Sequence, residues 1–156
     1  MLISPDSHLM TPEGLYFWSQ ARVEQAWGKS REEYSEALAS GNYKKVTLLM
    51  GAPGSGKSTW VSQNHQEGVI YFDATFKNAR ARAPFLQEAQ ATGIPVEVVW
   101  LDTSLEECLH RNALRTPDRK VSDGILTSMW ETINRFPPDP RKEGSPFTLI
   151  RVQKES

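Results

Sequence analysis

Nine consecutive residues, Gly51-Ala52-Pro53-Gly54-Ser55-Gly56-Lys57-Ser58-Thr59, carry the most specific chemistry in the sequence. They fit the pattern G-x-x-x-x-G-K-[ST], a loop whose backbone N–H groups converge on phosphate oxygens. Glycines adopt backbone angles that other residues avoid, which lets successive N–H groups face one anion. Lys57 supplies a point charge for the terminal phosphates, and the Ser58 hydroxyl is a ligand for Mg²⁺. A helix starting near Lys57 would aim its positive end at the same anion. The stretch from Gly51 to Thr59 is therefore expected to cradle a nucleoside triphosphate, with ATP the first choice.

Two further groups of side chains suit that chemistry. Asp73 closes the apolar run Val69-Ile70-Tyr71-Phe72. An acid at the end of a strand beside such a loop supports the Mg²⁺ shell; a capping or turn aspartate is the other reading. Arg111, Arg115 and Arg119 stand four apart. On one continuing helix they would share a face and repel one another, a cost that a bound anion offsets. Phosphoryl transfer uses such arginines to stabilise charge on the transferred group. A solvated basic helix end, favourable to the helix dipole, is the alternative. Lys77, Arg80 and Arg82 form a weaker cluster and read as an exposed helix face.

The elements that must position these residues fit one domain spanning 1–156, since 156 residues is a usual single-domain length. With 38% hydrophobic and 24% charged residues the composition is globular, which excludes disordered, collagenous and rod-like classes. Net charge is −1, from 18 basic and 19 acidic residues, so the chain is no bulk polyanion binder. No apolar run approaches the roughly 18 residues of a membrane span. The first ten residues, MLISPDSHLM, lack the basic and apolar regions of a signal peptide. One cysteine, Cys108, suits a reducing cytosol and reads as an ordinary helix residue.

Strands are expected where apolar residues run without alternation: Lys45–Met50, Val69–Phe72, Val96–Leu101 and Phe147–Val152, after a short extended piece at 1–5. Thr11-Pro12-Glu13 reads as a helix start, and the helix is expected to reach about Ser40 with a bend at Gly28. Leu15, Trp18, Arg22, Ala26, Ser30, Tyr34 and Leu38 would form its inner face. Further helices are expected from Lys57, over Lys77–Thr92 with Gly93 past its end, from Ser104 toward Arg115, and from Ser122 to about Arg135. Alternating strands and helices predict an α/β sandwich: a mostly parallel sheet of about five strands with helices on both faces. The five tryptophans read as packing residues, with Trp18 and Trp27 the two placed to stack bases.

With these residues placed, the chain resembles the P-loop kinases of the polynucleotide 5′-hydroxyl kinase type. The likeness covers about residues 45–135. It rests on GAPGSGKSTW (51–60), GVIYFDAT (68–75), ARARAPFL (79–86) and VVWLDTSLEECLHRNALRTPDRKV (98–121). The resemblance implies a P-loop kinase sandwich with a basic lid helix in which Arg111, Arg115 and Arg119 reach the ATP phosphates. It departs from the family in order. The family places a strand and an aspartate between the phosphate-loop helix and the DAT strand, where this chain has only Val61 to Gly68. Ile3-Ser4-Pro5-Asp6 and the long helix after it are similar to that missing unit, moved ahead of the phosphate-loop strand. Residues 1–43 would then be a strand-plus-helix unit and 44–156 the P-loop core and lid. Under this permutation Asp6 corresponds to the general base that activates the acceptor. The family's substrate-contacting arginine three residues later is Leu9 here, with His8 nearby.

The function this implies is Mg²⁺-dependent transfer of the γ-phosphate of ATP, or another nucleoside triphosphate, to a hydroxyl. A 5′-OH end of DNA or RNA is the first acceptor expected. Two other readings remain open: a kinase for a hydroxymethylated base in DNA, a nucleoside or another small molecule, and a nucleotide-dependent binding module that does not catalyse.

Overall fold

The structure is a computed structural model that describes residues 1–9 and 19–154. Five parallel strands, β1 (Leu2–Ile3), β2 (Lys45–Met50), β3 (Val69–Asp73), β4 (Val96–Thr103) and β5 (Thr148–Lys154), form one sheet in the order β1-β3-β2-β4-β5. Five helices connect them: α1 (Gln20–Ala39), α2 (Lys57–Asn64), α3 (Ala79–Thr92), α4 (Leu105–Ala113) and α5 (Asp123–Arg135). Among the described residues no helix is long and apolar enough to cross a membrane.

The unbroken apolar runs of β2, β3 and β4 follow from burial on both faces, because successive side chains point to opposite sides. Val46, Leu48, Met50, Ile70, Phe72 and Val98 join Tyr34 of α1, Phe85 and Leu86 of α3, Cys108 of α4 and Leu126 of α5. Leu49, Val69, Tyr71, Val99 and Leu101 point the other way and meet Val61 and Trp60 of α2. The sheet is thus sandwiched as expected, and its carboxyl edge carries the loops that follow β1, β2 and β3.

Caps set most helix limits. Ser104 accepts from the Glu107 N–H at 3.2 Å and Ser122 from the Ile125 N–H at 3.3 Å. Gly93, left-handed at φ 77°, ends α3. The start of α3 differs from the sequence reading, because Asn78 accepts from the Ala81 N–H at 2.9 Å and the helix begins at Ala79, not Lys77. Ser19 is extended (φ −154°) and its hydroxyl accepts from the Arg22 N–H, so α1 begins at Gln20. The start proposed at Thr11-Pro12-Glu13, with Leu15 and Trp18, lies outside the described residues. Ala26, Ser30, Tyr34 and Leu38 do form the buried face of α1, which runs unbroken past Gly28.

Aromatic packing fixes α1 over the sheet. Phe85 lies 4.7 Å from Phe72, 5.1 Å from Phe76 and 5.2 Å from Tyr34, ring centre to ring centre. Such pairs contribute roughly 0.5–1.5 kcal/mol each beyond area burial. The Tyr34 hydroxyl donates to the Phe85 carbonyl at 2.8 Å, and burial pushes its phenol well up. Trp27 stacks on Phe72 and meets Phe76 and Phe85 edge-on, so it is a packing residue and not an exposed base platform.

Candidate active site

The loop Gly51–Gly56 leaves β2 at the centre of the sheet's carboxyl edge and turns into α2. Gly54 and Gly56 have φ of 81° and 103°, the left-handed region that side chains disfavour. Gly56 is the N-cap of α2 and offers no side-chain acceptor, so the first N–H groups of the helix are left for an external anion. Ser55 points the same way: its hydroxyl is buried without a hydrogen-bond partner. A buried polar atom left unpaired is costly, and a phosphate oxygen would satisfy it.

The loop is held by one bond of its own and from three neighbouring segments. The Gly51 N–H donates to the Thr75 carbonyl at 3.3 Å, tying it to the turn after β3. The Ser55 N–H donates to the Ala52 carbonyl at 3.0 Å, and Ala52 is buried beside half-buried Pro53. Thr103, at the end of β4, donates from Oγ1 to the Ser55 carbonyl at 2.7 Å and is itself held by Trp130 Nε1 at 2.9 Å. Arg111 of α4 reaches the Gly54 carbonyl at 3.3 Å while its Nε donates to Glu107 at 2.9 Å.

Lys57 Nζ donates to the Gly51 carbonyl at 2.9 Å, folded over the cradle. Burial pushes its ammonium below the usual lysine range, opposed by the charges of Asp73 and Asp6 and assisted by Arg115. Asp73 lies opposite, with Oδ2 3.5 Å from the Ser58 hydroxyl. Burial raises its carboxyl, against the pull of Lys57; Asp6 adds to the rise, and Ser58 and Arg115 oppose it. Asp6 and Arg115, far apart in sequence, thus both bear electrostatically on the Lys57–Asp73 pair. Ser58 and Thr59 are exposed on the first turn of α2, with the Thr59 carbonyl accepting from Ser62.

The donor set fits Mg²⁺. That ion takes oxygen ligands and uses one or two protein groups, the rest coming from phosphates and water. Ser58 and Asp73, 3.5 Å apart, are two oxygen donors of the kind such a site would use.

Asp6 comes from the other end of the chain. It sits exposed in the 3-10 turn Pro5–Leu9, directly after β1, whose Leu2 and Ile3 pair with Tyr71 and Phe72 of β3. Arg22 donates to the Leu9 carbonyl at 3.2 Å, and His8 Nε2 bonds Glu33 of α1, so the turn is strapped to that helix. His8 is thereby paired with α1, and Leu9 is buried.

The basic segment departs from the expected geometry. α4 ends at Ala113 with Leu114 as its C-cap, so only Arg111 of the three arginines is helical. Arg115 and Arg119 follow in turns, exposed; the Arg119 N–H donates to the Thr116 carbonyl at 3.0 Å. Pro117, which cannot extend a helix, is the sequence signal for this ending. Arg82 is a second correction. It is 1% exposed, forked onto Glu143 at 2.9 and 3.0 Å, and it donates to the Phe76 carbonyl at 2.8 Å. Phe76 has a positive φ of 46°, so Arg82 braces the strained turn that follows Asp73. Its other neighbour, Met50 Sδ at 3.7 Å, immediately precedes Gly51.

Residues 67–136 match the AAA_33 family model, described as an AAA domain. The match takes in Asp73 and all three arginines and begins after the phosphate loop. No curated protein matches the chain. Among solved structures, a chain of the native AvrRxo1-ORF1:-ORF2 complex is similar over 93% of this chain, with a TM-score of 0.56 and 15% identity. This chain spans 66% of that one, and at such identity the likeness concerns the fold alone. The matched family and the parallel five-stranded sheet give the protein a P-loop kinase-like α/β fold.

Proposed function

We propose that the protein transfers the γ-phosphate of ATP, with Mg²⁺, to a hydroxyl, and that the first acceptor to consider is a 5′-OH end of DNA or RNA. The observation that carries the reading is Asp6, an exposed carboxylate whose charge acts on both Lys57 and Asp73 although it precedes the loop by some fifty residues. A pure nucleotide-binding module needs no second carboxylate at that place. The edge position of β1, parallel to β3, supports the permuted order in which the acceptor-side unit comes first.

The roles follow from the geometry. The loop Gly51–Ser58 and the open end of α2 hold the phosphates, Ala52, Pro53 and Ser55 shaping the cradle and Thr59 continuing the helix. Lys57 leaves the Gly51 carbonyl for the terminal phosphates. Ser58 and Asp73 would hold Mg²⁺, which would supply positive charge to the phosphate chain. Asp6 accepts the proton of the acceptor hydroxyl as its oxygen bonds to the γ-phosphorus. The bond from that phosphorus to the β-bridging oxygen breaks, and its electron pair leaves with ADP. Arg115, with Arg111 and Arg119 on the same segment, stabilises the charge spread over the transferred group.

One observation favours a second acceptor class. Leu9 is buried where the resembling kinases carry a substrate-contacting arginine, so the residue at that position supplies no cation of its own to an acceptor phosphate. A hydroxymethylated base, a nucleoside or another small hydroxyl compound suits that surface. The test is transfer from γ-labelled ATP with Mg²⁺ to a short 5′-OH oligonucleotide, beside Lys57→Ala and Asp6→Asn. Labelled product that both variants lose supports the proposal. Loss by Lys57→Ala alone removes Asp6 from the mechanism. ATP binding with no labelled oligonucleotide rejects the 5′-end acceptor and directs the assay to modified bases and small hydroxyl compounds.

A further inference from the structure

Between α4 and α5 the chain makes an excursion, residues 113–120, every one of them exposed. Its internal bonds are local turn contacts: Leu114 and Arg115 donate to the Arg111 and Asn112 carbonyls at 3.2 and 3.1 Å, and the Arg119 and Lys120 N–H groups share the Thr116 carbonyl at 3.0 Å. None of these bonds joins the two ends of the excursion. One buried side chain closes the neck. Asn112, fully buried on the last turn of α4, donates from Nδ2 to the Val121 carbonyl at 2.6 Å and accepts the Val121 N–H on Oδ1 at 3.0 Å. A primary amide carries a donor and an acceptor side by side, as a peptide group does, so it completes both backbone bonds of Val121 at once. Ser122, the next residue, is the N-cap of α5.

We propose that Asn112 is a positioning residue: its amide clips residues 113–120 into a closed loop and so holds Arg115 against the nucleotide site. The proposal rests on reading Gly51–Ser58 as a nucleotide site, not on the identity of the acceptor. An unclipped loop of eight residues samples many paths, and fixing it only when nucleotide arrives would cost affinity. With its neck closed, the loop keeps Arg115 on the segment that starts at Arg111, whose guanidinium reaches the Gly54 carbonyl at 3.3 Å. Neither arginine of the loop is helical, so the clip replaces the helix that would otherwise order them. No single other residue does this: an aspartate would turn a carboxylate on the Val121 carbonyl, and an aliphatic residue would leave both Val121 groups without their partner.

The experiment pairs proteolysis with a double-mutant cycle read as MgATP affinity by calorimetry, with no acceptor present. In the folded full chain, trypsin is expected to cut after Arg115, Arg119 and Lys120 about tenfold faster in Asn112→Ser than in wild type, since cleavage tracks local opening. Unchanged cutting overturns the clip. For affinity, Arg115→Ala and Asn112→Ser are each expected to weaken MgATP about tenfold, and the double variant no further than Arg115→Ala alone. Losses that multiply to about a hundredfold overturn the positioning role, because a merely structural defect adds to the loss of Arg115. Asn112→Asp, which keeps the Oδ1 acceptor, is the second variant if Asn112→Ser melts below the assay temperature. Absence of ATP binding by wild type rejects the nucleotide site and the placement of Arg115 with it, whereas failure of phosphotransfer alone leaves this cycle intact.

Discussion

Gly54 of the phosphate loop packs so closely on Cys108 of α4 that a Cβ at Gly54 would stand 2.8 Å from the Cys108 carbonyl oxygen. The neighbour is backbone, which cannot rotate away, and Gly54 has the left-handed φ of 81°. Gly54→Ala is therefore expected to lower stability by at least the roughly 1–2 kcal/mol of left-handed strain and to abolish nucleotide binding. Gly28 is the contrast: exposed within α1, with nothing within 4 Å of a would-be Cβ. Gly28→Ala should raise stability by about 0.5–1 kcal/mol. Thermal melts and ATP calorimetry of the two variants check both statements.

Asp73 carries a stability cost that its proposed metal role explains. Its folded pKa lies above the usual carboxylate value, chiefly through burial. The carboxyl is therefore more at home protonated in the folded chain, and that advantage is lost as pH rises through the raised pKa. Asp73→Asn should melt above wild type at pH 7 without nucleotide, and at the wild-type temperature near pH 3. The same variant should bind MgATP much more weakly. Melting curves across pH decide it; equal stability at pH 7 would contradict the burial argument.

Arg82 and Glu143 form the buried ion pair of this molecule's active-site end, at 1% and 8% side-chain exposure. Removing one member leaves the other as an uncompensated buried charge, at a cost of about 3–5 kcal/mol. Arg82→Ala should reach that range in urea unfolding. Replacing both residues together should cost less than the sum of the two single changes.

Cys108 is fully buried, and burial raises its thiol above the ordinary cysteine range. Reaction with a maleimide or iodoacetamide requires the thiolate. Labelling of the native protein should be at least tenfold slower than labelling in denaturant, and the Gly54→Ala variant, which disturbs the carbonyl of this same residue, should label faster than wild type.

What could be read without coordinates was what neighbours along the chain decide. The strands at 45–50 and 69–73 are apolar without alternation because both faces are covered. The caps Ser104 and Ser122 and the terminator Gly93 act within four residues of their own positions. The phosphate loop was readable for the same reason. Arg82 was not, because its partner lies 61 residues away and a buried arginine looks like a surface one until that partner is placed. The four-residue spacing of Arg111, Arg115 and Arg119 suggested one helix face, and Pro117 outweighed it. Asn112 gave no signal at all, since its meaning lies in the backbone of Val121. Ser19 caps α1 at Gln20, and the start read at Thr11 lies outside the described residues. The pairing of β1 with β3 was not legible, since no local pattern in MLISPD demands it.

β1 contributes two paired residues to the sheet, with two further bonds at Met1, its carbonyl accepting from the Tyr71 N–H at 2.8 Å and its amino group donating to the Val69 carbonyl at 3.1 Å, whereas β4 and β5 share seven pairs. Local opening begins where few bonds must break, so this edge should fray well below the melting temperature of the whole. Warming would then detach Asp6 while leaving the phosphate cradle intact. The protein would pass through a state that still grips nucleotide but no longer has its carboxylate in place, a thermal fuse on one side of the reaction. Amide exchange should show Ile3 unprotected at temperatures where Leu48 and Val99 remain fully protected.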